Sequence, residues 1–260
     1  MLDEVVQGYR EEYLAQYDHG EFEVVMADIR RQVVMGSLRK YKHDSVLEVG
    51  CGLSPCFVKA SDYERWTIVE PIADFVEHAQ KLAADTGKRN VSVIQGTLEE
   101  KIDDLQREEW DFIVVSSLLH EVAEPEAFLS ALRKLCAPET VVHINVPNVY
   151  SFHRFLGVEA GIAKDLFEKS QMEKRFGRQT RFDKETLLRM LMRNGFVVQD
   201  FGTYFIKPFP HDFMEVLLKS GKLTKQIIIG LLKMTKYFPE LGCEMYANVS
   251  IAARQGAESE

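Results

Sequence analysis

The stretch Val46–Pro71, VLEVGCGLSPCFVKASDYERWTIVEP, decides how the rest of the chain is interpreted. It begins with the apolar run Val46–Val49, typical of a short buried strand, which leads directly into Gly50-Cys51-Gly52. The two glycines allow a tight turn and let a ligand lie against bare backbone. A second apolar run ends on Glu70, 18 residues after Gly52. A carboxylate at that distance lies at the tip of the neighbouring parallel strand, where it can accept hydrogen bonds from both ribose hydroxyls of a nucleoside.

The glycine spacing indicates which cofactor carries that nucleoside. The dinucleotide pattern G-x-G-x-x-G needs a third glycine where helix and strand pack closely, and this chain has Pro55 there. It has instead E-x-G-C-G, with Glu48 two residues before Gly50. This pattern resembles the first motif of the class I S-adenosylmethionine-dependent methyltransferases. Two alternatives are a nicotinamide-dependent oxidoreductase, which Pro55 disfavours, and an ordinary strand-turn-helix with chance glycines.

The resemblance implies a set of residues around S-adenosyl-L-methionine (SAM). Glu48 would lie near the amino-acid portion of the cofactor, the glycines would line it, and Glu70 would hold the ribose. The adenine would meet the turn after a third predicted strand, Val91–Gln95. The family often has Asp in that turn, whereas this chain continues with Gly-Thr-Leu, so the contacts would come from backbone, the threonine hydroxyl and apolar packing. The implied cofactor-binding set is Glu48, Gly50, Cys51, Gly52, Glu70, Pro71, Gly96, Thr97, Leu98 and Ser116.

Predicted strands and helices alternate along the chain after Val46. The alternation predicts an α/β fold with a Rossmann-like, doubly wound sheet whose first five strands are parallel, and the resemblance implies a seven-stranded sheet whose last strand is antiparallel. We expect a single methyltransferase domain, 1–260, with a helical N-terminal cap at 1–42, a cofactor-binding core at 43–146, and helical inserts on the substrate side at 147–181 and 208–239. Within the cap, Tyr9, Tyr13 and Tyr17 share one face of a predicted helix, which favours core packing over the alternative of a substrate lid.

The charge of the chain is unevenly distributed. The net charge is −8, but residues 1–146 carry 15 basic and 27 acidic residues, whereas residues 147–239 carry 16 basic and 9 acidic residues. A basic segment within an acidic chain points to an anionic small molecule more than to nucleic acid, because polyanion binders usually have a basic field overall. The alternative, that these side chains only solvate helix faces, is equally open.

The sequence has no targeting or framework signal. No apolar run reaches the ~20 residues of a membrane span, and the N-terminus does not resemble a signal peptide, so we expect a cytoplasmic protein without membrane insertion. The four cysteines have no metal-binding or disulfide spacing, and no Asp/His/Glu cluster predicts a metal site. The sequence is compatible with a homodimer but does not fix the oligomeric state.

Several residues that could carry chemistry follow the fourth and fifth predicted strands. His120 is the first candidate for a general base, because it follows the strand beside which the methyl group of the cofactor would lie. His153 is the second candidate. Either histidine could instead be structural. The candidate substrate-binding residues, which suit a phosphate or carboxylate, are Asn148, Arg154, Lys207 and His211. His143, within the fifth strand, is expected to be a satisfied buried histidine.

The downstream sequence narrows the resemblance. The runs SSLLHEVAEP, HINVPNVYSFHRFLG, RFDKETLLRMLMRNGF, YFIKPFPHDFM and KYFPELGCEMY look like methyltransferases of bacterial capsule and O-antigen biosynthesis. That resemblance implies O-methylation of a small anionic acceptor, a phosphorylated precursor or a sugar nucleotide, and one branch makes the O-methyl phosphoramidate decoration of capsules. A catalytically silent partner protein with a methyltransferase fold is the remaining alternative.

Overall fold

The computed structural model of the protein describes residues 21–168 and 180–252. Within them, seven strands form one sheet in the order β3-β2-β1-β4-β5-β7-β6. The strands are β1 (Ser45–Val49), β2 (Arg65–Glu70), β3 (Val91–Gln95), β4 (Phe112–Ser116), β5 (Val141–Pro147), β6 (Phe196–Tyr204) and β7 (Glu244–Ile251). The helices are α1 (Glu21–Leu38), α2 (Ala73–Asp85), α3 (Leu98–Leu105), α4 (Pro125–Lys134), α5 (Phe152–Glu159), α6 (Lys184–Arg193), α7 (His211–Lys219) and α8 (Lys225–Lys233).

The strand directions bring the ends of several strands to one edge of the sheet. Strands β1 to β5 are parallel, and β7 runs antiparallel to both of its neighbours, β5 and β6. The predicted sheet is therefore confirmed. The carboxyl ends of β1 to β5 consequently share an edge with the start of β7 at Glu244, which is opposite Pro147 on β5 and opposite Tyr204 on β6.

Both faces of the sheet are covered, which explains why its central strands are apolar at nearly every position. On β1, Leu47 packs into the cluster under α4 and α6, whereas Val46 packs into the cluster under α1 and α2. The period-2 alternation of a strand thus feeds two hydrophobic cores. Capping boxes at Thr97 and Asp183 begin α3 and α6.

A third cluster joins the N-terminal helix to the second insert. Phe22, Met26 and Ile29 of α1 pack against Phe205, Met214 and neighbouring side chains. The polar side chains of α1 are thereby fixed beside the ends of β6 and β7. The insert at 208–239 contains α7 and α8, as predicted.

Three local features set the boundaries of these elements. A single 3₁₀ turn, Cys56–Val58, follows the glycine loop and Pro55. Strand β6 ends at Tyr204, because Phe205 has a left-handed φ of 59°, which breaks the strand. Helix α6 begins at Lys184, because Asp183 caps it.

Two further sequence features complete the description. The predicted helix at 3–17, with its three tyrosines, lies outside the described residues. Among the residues that the structure describes, no helix is long and apolar enough to span a membrane.

Candidate active site

The glycine loop after β1 is a tight turn fixed to the neighbouring strand. Gly50 and Gly52 have left-handed φ values of 72° and 53°, which favour glycine. The Gly50 N–H donates to the carbonyl of Val69 over 2.9 Å. A Cβ at Gly50 would lie 3.0 Å from Leu118 Cδ2, so a larger residue there would press on the loop after β4. The loop therefore presents bare backbone at the carboxyl edge of the sheet.

Glu70 ends β2 directly beside this loop. Its Oε2 accepts a hydrogen bond from the Gly52 N–H at 3.1 Å, and its Oε1 accepts one from the Ile72 N–H at 3.0 Å. Burial raises the pKa of Glu70, and the backbone donors oppose that shift. A carboxylate offers about four acceptor positions, so these two bonds leave room for ribose hydroxyls. The loop and Glu70 together fit a bound nucleoside.

Glu48 is directed into the protein from β1. Its carboxylate accepts hydrogen bonds from the Cys56 N–H at 2.8 Å and from Trp66 Nε1 at 2.9 Å. Burial raises the pKa of Glu48 to about 7, against the opposing effect of these donors. Its observed contacts hold the segment after the glycine loop against β2. Direct contact between Glu48 and the cofactor stays a prediction.

The other predicted cofactor residues lie along the same edge. Gly96 has a φ of 146°, and its N–H donates to the carbonyl of Glu70 over 3.1 Å. The Thr97 hydroxyl accepts from the Glu100 N–H as part of the capping box, and Leu98 is buried in the core. Cys51 is buried in the glycine loop, and burial raises the pKa of its thiol, so the thiol stays protonated. Pro71 is half-buried just before α2.

A series of hydrogen-bonded buried side chains, which we call the polar chain, fixes the turn after β4. Ser117 has a left-handed φ of 57°, and its N–H donates to Asn145 Oδ1 over 2.8 Å. The amide nitrogen of Asn145 contacts Ser116 Oγ at 2.9 Å and His143 Nε2 at 3.3 Å. The chain continues from His143 Nδ1 to Asn248 Oδ1 at 2.8 Å, and from Asn248 Nδ2 to the hydroxyl of Ser37 on α1 at 3.0 Å.

His143 is therefore a satisfied buried histidine, as its position in the strand predicted. Burial lowers its pKa to about 4, so the ring is neutral. The sequence did not reveal that Asn145 and Asn248 would bond to it, because the contact with Asn248 depends on the register between β5 and β7. The hydrogen bond from Asn145 Nδ2 also fixes the hydroxyl of Ser116, a predicted cofactor-binding residue.

His120 lies in the loop after β4 and is almost completely buried, with 2% of its surface exposed. Its Nε2 is 3.4 Å from Glu121 Oε1. A small cavity brings His120 together with Pro147, Asn148 and Arg154. The structure thus places the first base candidate and two of the predicted substrate-binding residues around one space.

The two substrate-binding candidates at this cavity already have partners. Asn148 Nδ2 donates to the carbonyls of Glu240 and Gly242, and its Oδ1 accepts from the Tyr150 N–H. Arg154 Nη1 donates to the carbonyls of Leu166 and Glu168. Asn148 therefore fixes the backbone at Tyr150, Glu240 and Gly242. An acceptor would bind Arg154 while its guanidinium group keeps the bonds to the two carbonyls.

His153, Lys207 and His211 are the remaining predicted catalytic and substrate-binding residues. The Nδ1 atom of His153 is buried and makes no hydrogen bond within the described residues. Burial lowers the pKa of His153 well below its usual value, and the nearby cations Lys207 and Arg154 lower it further. Burial also lowers the pKa of Lys207. His211 Nδ1 is 3.8 Å from Glu23 Oε2.

A buried ion-pair network stands beside these residues, and the sequence reasoning missed it. Arg30 of α1 donates to Glu244 Oε1 over 2.8 Å and to Glu23 Oε1 over 2.6 Å. The Tyr204 hydroxyl donates to Glu244 Oε2 over 2.6 Å. Burial alone would raise the pKa of Glu244, but Arg30, Tyr204 and His120 outweigh it and the pKa is lowered. No sequence signal connects Arg30 to Glu244, which are 214 residues apart.

A wider groove opens beyond Asn148. It has a volume of about 880 Å³ and a largely apolar lining, with the aromatic side chains of Tyr150, Phe155 and Phe201. Small-molecule sites typically have volumes of about 300–1,000 Å³. Within the described residues, no group of three His, Cys, Asp or Glu side chains could hold a metal ion.

Comparison with known proteins identifies the class. A family model described as a methyltransferase domain matches residues 17–200. Because this match spans more than half of the chain, the protein belongs to the methyltransferase domain family. It is a SAM-dependent methyltransferase, and the glycine loop and Glu70 provide a site that suits SAM. The alternative of a nicotinamide-dependent oxidoreductase is thereby rejected.

Solved structures agree on the fold. A SAM-dependent methyltransferase from Archaeoglobus fulgidus is 16% identical with a TM-score of 0.53, over 89% of this chain and 100% of that one. The plantazolicin methyltransferase BamL, in complex with a triazolic desmethylPZN analog and SAH, is 16% identical with a TM-score of 0.52, over 96% and 99%. The O-methyltransferase NcsB1 from neocarzinostatin biosynthesis is 16% identical with a TM-score of 0.53, over 89% and 57%. The comparison with curated proteins gives no match.

Proposed function

We propose that the protein methylates an oxygen of a small anionic acceptor, a phosphorylated precursor or a nucleotide-linked sugar of surface polysaccharide. The observation that carries the proposal is the state of Lys207. Arg30 is matched by two carboxylates, Glu23 and Glu244, whereas Lys207 makes no hydrogen bond or ion pair within the described residues. Lys207 is half-buried, and burial lowers its pKa against the opposing effect of Glu244 and Glu23, so an acceptor anion bound beside it would favour its charged form.

The groove beside Asn148 suits the rest of such an acceptor. Its aromatic side chains Tyr150, Phe155 and Phe201 offer flat apolar faces for a sugar ring or a base. The capsule and O-antigen setting, including the phosphoramidate branch, rests on the resemblance of the downstream sequence and is part of the same proposal.

The cofactor residues have a defined task in this scheme. Glu70 would bind the ribose, and the backbone of Gly50 to Gly52 would lie against the amino-acid portion, with Glu48 holding the loop that follows. When bound, SAM supplies an electrophilic methyl group on a sulfonium. The chain contributes by aligning the acceptor oxygen with that group and by accepting its proton.

His120 or His153 would accept the proton. His120 follows β4, and Leu118 of the same loop contacts the glycine loop, which brings His120 toward the cofactor. His153 is neutral, but two neighbouring cations make it a weak base. Binding of an anionic acceptor would offset those cations and raise the pKa of His153.

The test is a mass-spectrometric screen of phosphorylated amino acids and sugar nucleotides for the gain of one methyl group. We expect an anionic acceptor to be methylated and Lys207→Met to raise its KM, with Lys134→Met as the control, because Lys134 is exposed at the end of α4 and does not line the groove. Methylation confined to neutral acceptors, with Lys207→Met equal to the parent protein, would refute the anionic class. Activity that appears only with a second subunit would favour the silent-partner alternative.

A further inference from the structure

Residues 216–238 form what we call the basic helical patch, which comprises the last four residues of α7, all of α8 and the 3₁₀ turn that follows it. These 23 residues contain five lysines and no Asp or Glu, in a chain whose net charge is −8. All five lysines are exposed: Lys219, Lys222, Lys225, Lys233 and Lys236. The patch therefore carries +5 on a molecule whose other residues sum to −13.

Few of these charges are compensated. Lys219 pairs with Glu215 over 3.0 Å, and Lys236 lies 4.6 Å above the ring of Tyr237. Lys222, Lys225 and Lys233 make no ion pair within the part of the chain that the structure describes. Mutual repulsion in such a cluster is unfavourable for an isolated protein, so a complementary negative surface would relieve it.

Large apolar side chains are exposed between the lysines. Helix α8 already packs Ile228, Leu231 and Leu232 against the third hydrophobic cluster. Nevertheless it has no fully buried residue. The exposed apolar side chains of the patch are Val216 (62%), Ile227 (46%), Ile229 (39%), Tyr237 (68%) and Phe238 (39%). The patch therefore has more apolar surface than its packing against the domain uses.

We propose that the basic helical patch docks the enzyme onto the surface of an anionic phospholipid membrane. Lysines interspersed with aliphatic and aromatic side chains match an anionic headgroup layer above an apolar one. Nucleic acid, an alternative partner, would bind the lysines through its phosphates but would leave the exposed isoleucines without apolar contacts. A second copy of this chain would bring the same +5 patch against itself in a two-fold dimer, which charge repulsion disfavours.

Docking would orient the active site. Helix α7 begins at His211, whose ring lies 5.0 Å from that of Phe22 and whose Nδ1 lies 3.8 Å from Glu23. The patch thus begins in the same helix as His211, one of the predicted substrate-binding residues. This inference does not depend on the identity of the acceptor, because it concerns surface residues outside the site.

The experiment is co-sedimentation of the full chain with vesicles of phosphatidylcholine, alone or with roughly one third phosphatidylglycerol. We expect binding only to the anionic vesicles, and its release by high salt. Each lysine near an anionic surface contributes about fivefold in affinity, so Lys225→Glu/Lys233→Glu should weaken binding by about 30-fold or more. Ile227→Ser/Ile229→Ser should weaken binding with the charge kept.

The control is Lys81→Glu/Lys134→Glu, which changes the net charge equally at exposed lysines of α2 and α4. It should bind like the parent protein and should also keep its methyl-transfer rate. Absence of binding to anionic vesicles, or equal losses in patch and control variants, would overturn the proposal. Light scattering that shows a dimer broken by the patch variants would assign the patch to a second copy instead.

Discussion

We call the region of Glu48 and Glu70 the cofactor side and the region of Glu244 the acceptor side, after the roles predicted for the residues around them, and the two regions hold their buried carboxylates by different means. Glu48 and Glu70 accept hydrogen bonds mainly from backbone N–H groups, at sequence separations of 2 to 18 residues. Glu244 is held by the side chains of Arg30 and Tyr204, which come from 214 and 40 residues away. A backbone N–H donor is lost only on substitution by proline, whereas a side-chain donor is lost on most substitutions. Most substitutions therefore leave the hydrogen bonds to Glu48 and Glu70 in place, whereas substitution of Arg30 or Tyr204 removes a hydrogen bond to Glu244.

The largest effect on the reaction is expected at the two candidate bases, His120 and His153. His120→Ala should lower kcat by roughly 10²–10⁴ with little change in affinity for S-adenosylhomocysteine, because a general base contributes on that scale. His153→Ala should have the smaller effect, since Lys207 and Arg154 depress the pKa of its ring. Steady-state kinetics with the acceptor from the screen measures both. A larger loss at His153 would reverse the assignment.

Removal of the central cation tests the acceptor side. Arg30→Ala should reduce the free energy of unfolding by about 3–5 kcal/mol, because it leaves Glu244 and Glu23 without their shared partner. Urea denaturation measures the loss. Arg39→Ala, an exposed residue just after α1, provides the control. Equal stability of the two variants would show that the network does not depend on Arg30.

A pH series tests the cofactor side. The pKa of Glu48 is raised from 4.5 to about 7 in the folded protein, so the folded state binds its proton more tightly than the unfolded state. That contribution to stability is fully present below pH 4.5 and is lost as the pH rises through 7, a fall of about 3 kcal/mol at 1.36 kcal/mol per pKa unit.

Glu48→Gln should remove this fall. We expect the variant to match the parent protein near pH 4.5 and to be more stable by about 1–3 kcal/mol at pH 8, in urea denaturation at both values. Glu77→Gln, at an exposed position on α2, should leave the pH profile unchanged. Parallel profiles for parent and Glu48→Gln would mean that Glu48 is ionised without cost.

Removal of Glu70, the predicted ribose-binding residue, should weaken cofactor binding by a smaller free energy than the changes above. Glu70→Ala should weaken binding of S-adenosylhomocysteine by about 1–3 kcal/mol in calorimetry, the scale of hydrogen bonds to a charged group. Glu70→Gln keeps an acceptor oxygen, so its affinity for S-adenosylhomocysteine should lie between those of the parent protein and Glu70→Ala. Glu77→Ala serves as the matched control. Unchanged affinity in Glu70→Ala would place the ribose elsewhere.

The smallest effect is expected at Arg154. Arg154→Ala should raise the KM for the anionic acceptor by about 3–10-fold with kcat nearly unchanged, because uniform binding is lost. Arg193→Ala, at the exposed end of α6, controls for the loss of a positive charge. A fall in kcat at unchanged KM would indicate that Arg154 acts in the transition state.

The same contrast explains what the sequence could predict. The strands and Glu70 were predictable because short continuous apolar runs and a glycine turn are local signals, and the parallel sheet then places their ends together. The 3₁₀ turn after Pro55 was not, since proline suits the first turn of either helix type. The Arg30–Glu244 pair depends on how α1 packs across β6 and β7, which no local pattern encodes.

The polar chain under the β4 turn has a direction. Asn145 Oδ1 accepts from the backbone of Ser117, so its amide nitrogen must donate to His143 Nε2. The imidazole proton must then reside on Nδ1, which donates to Asn248 Oδ1, and the amide of Asn248 in turn points its hydrogens at Ser37. One peptide N–H at the active-site edge thus selects the tautomer of a ring in the middle of the sheet and the orientation of an amide beneath the N-terminal helix.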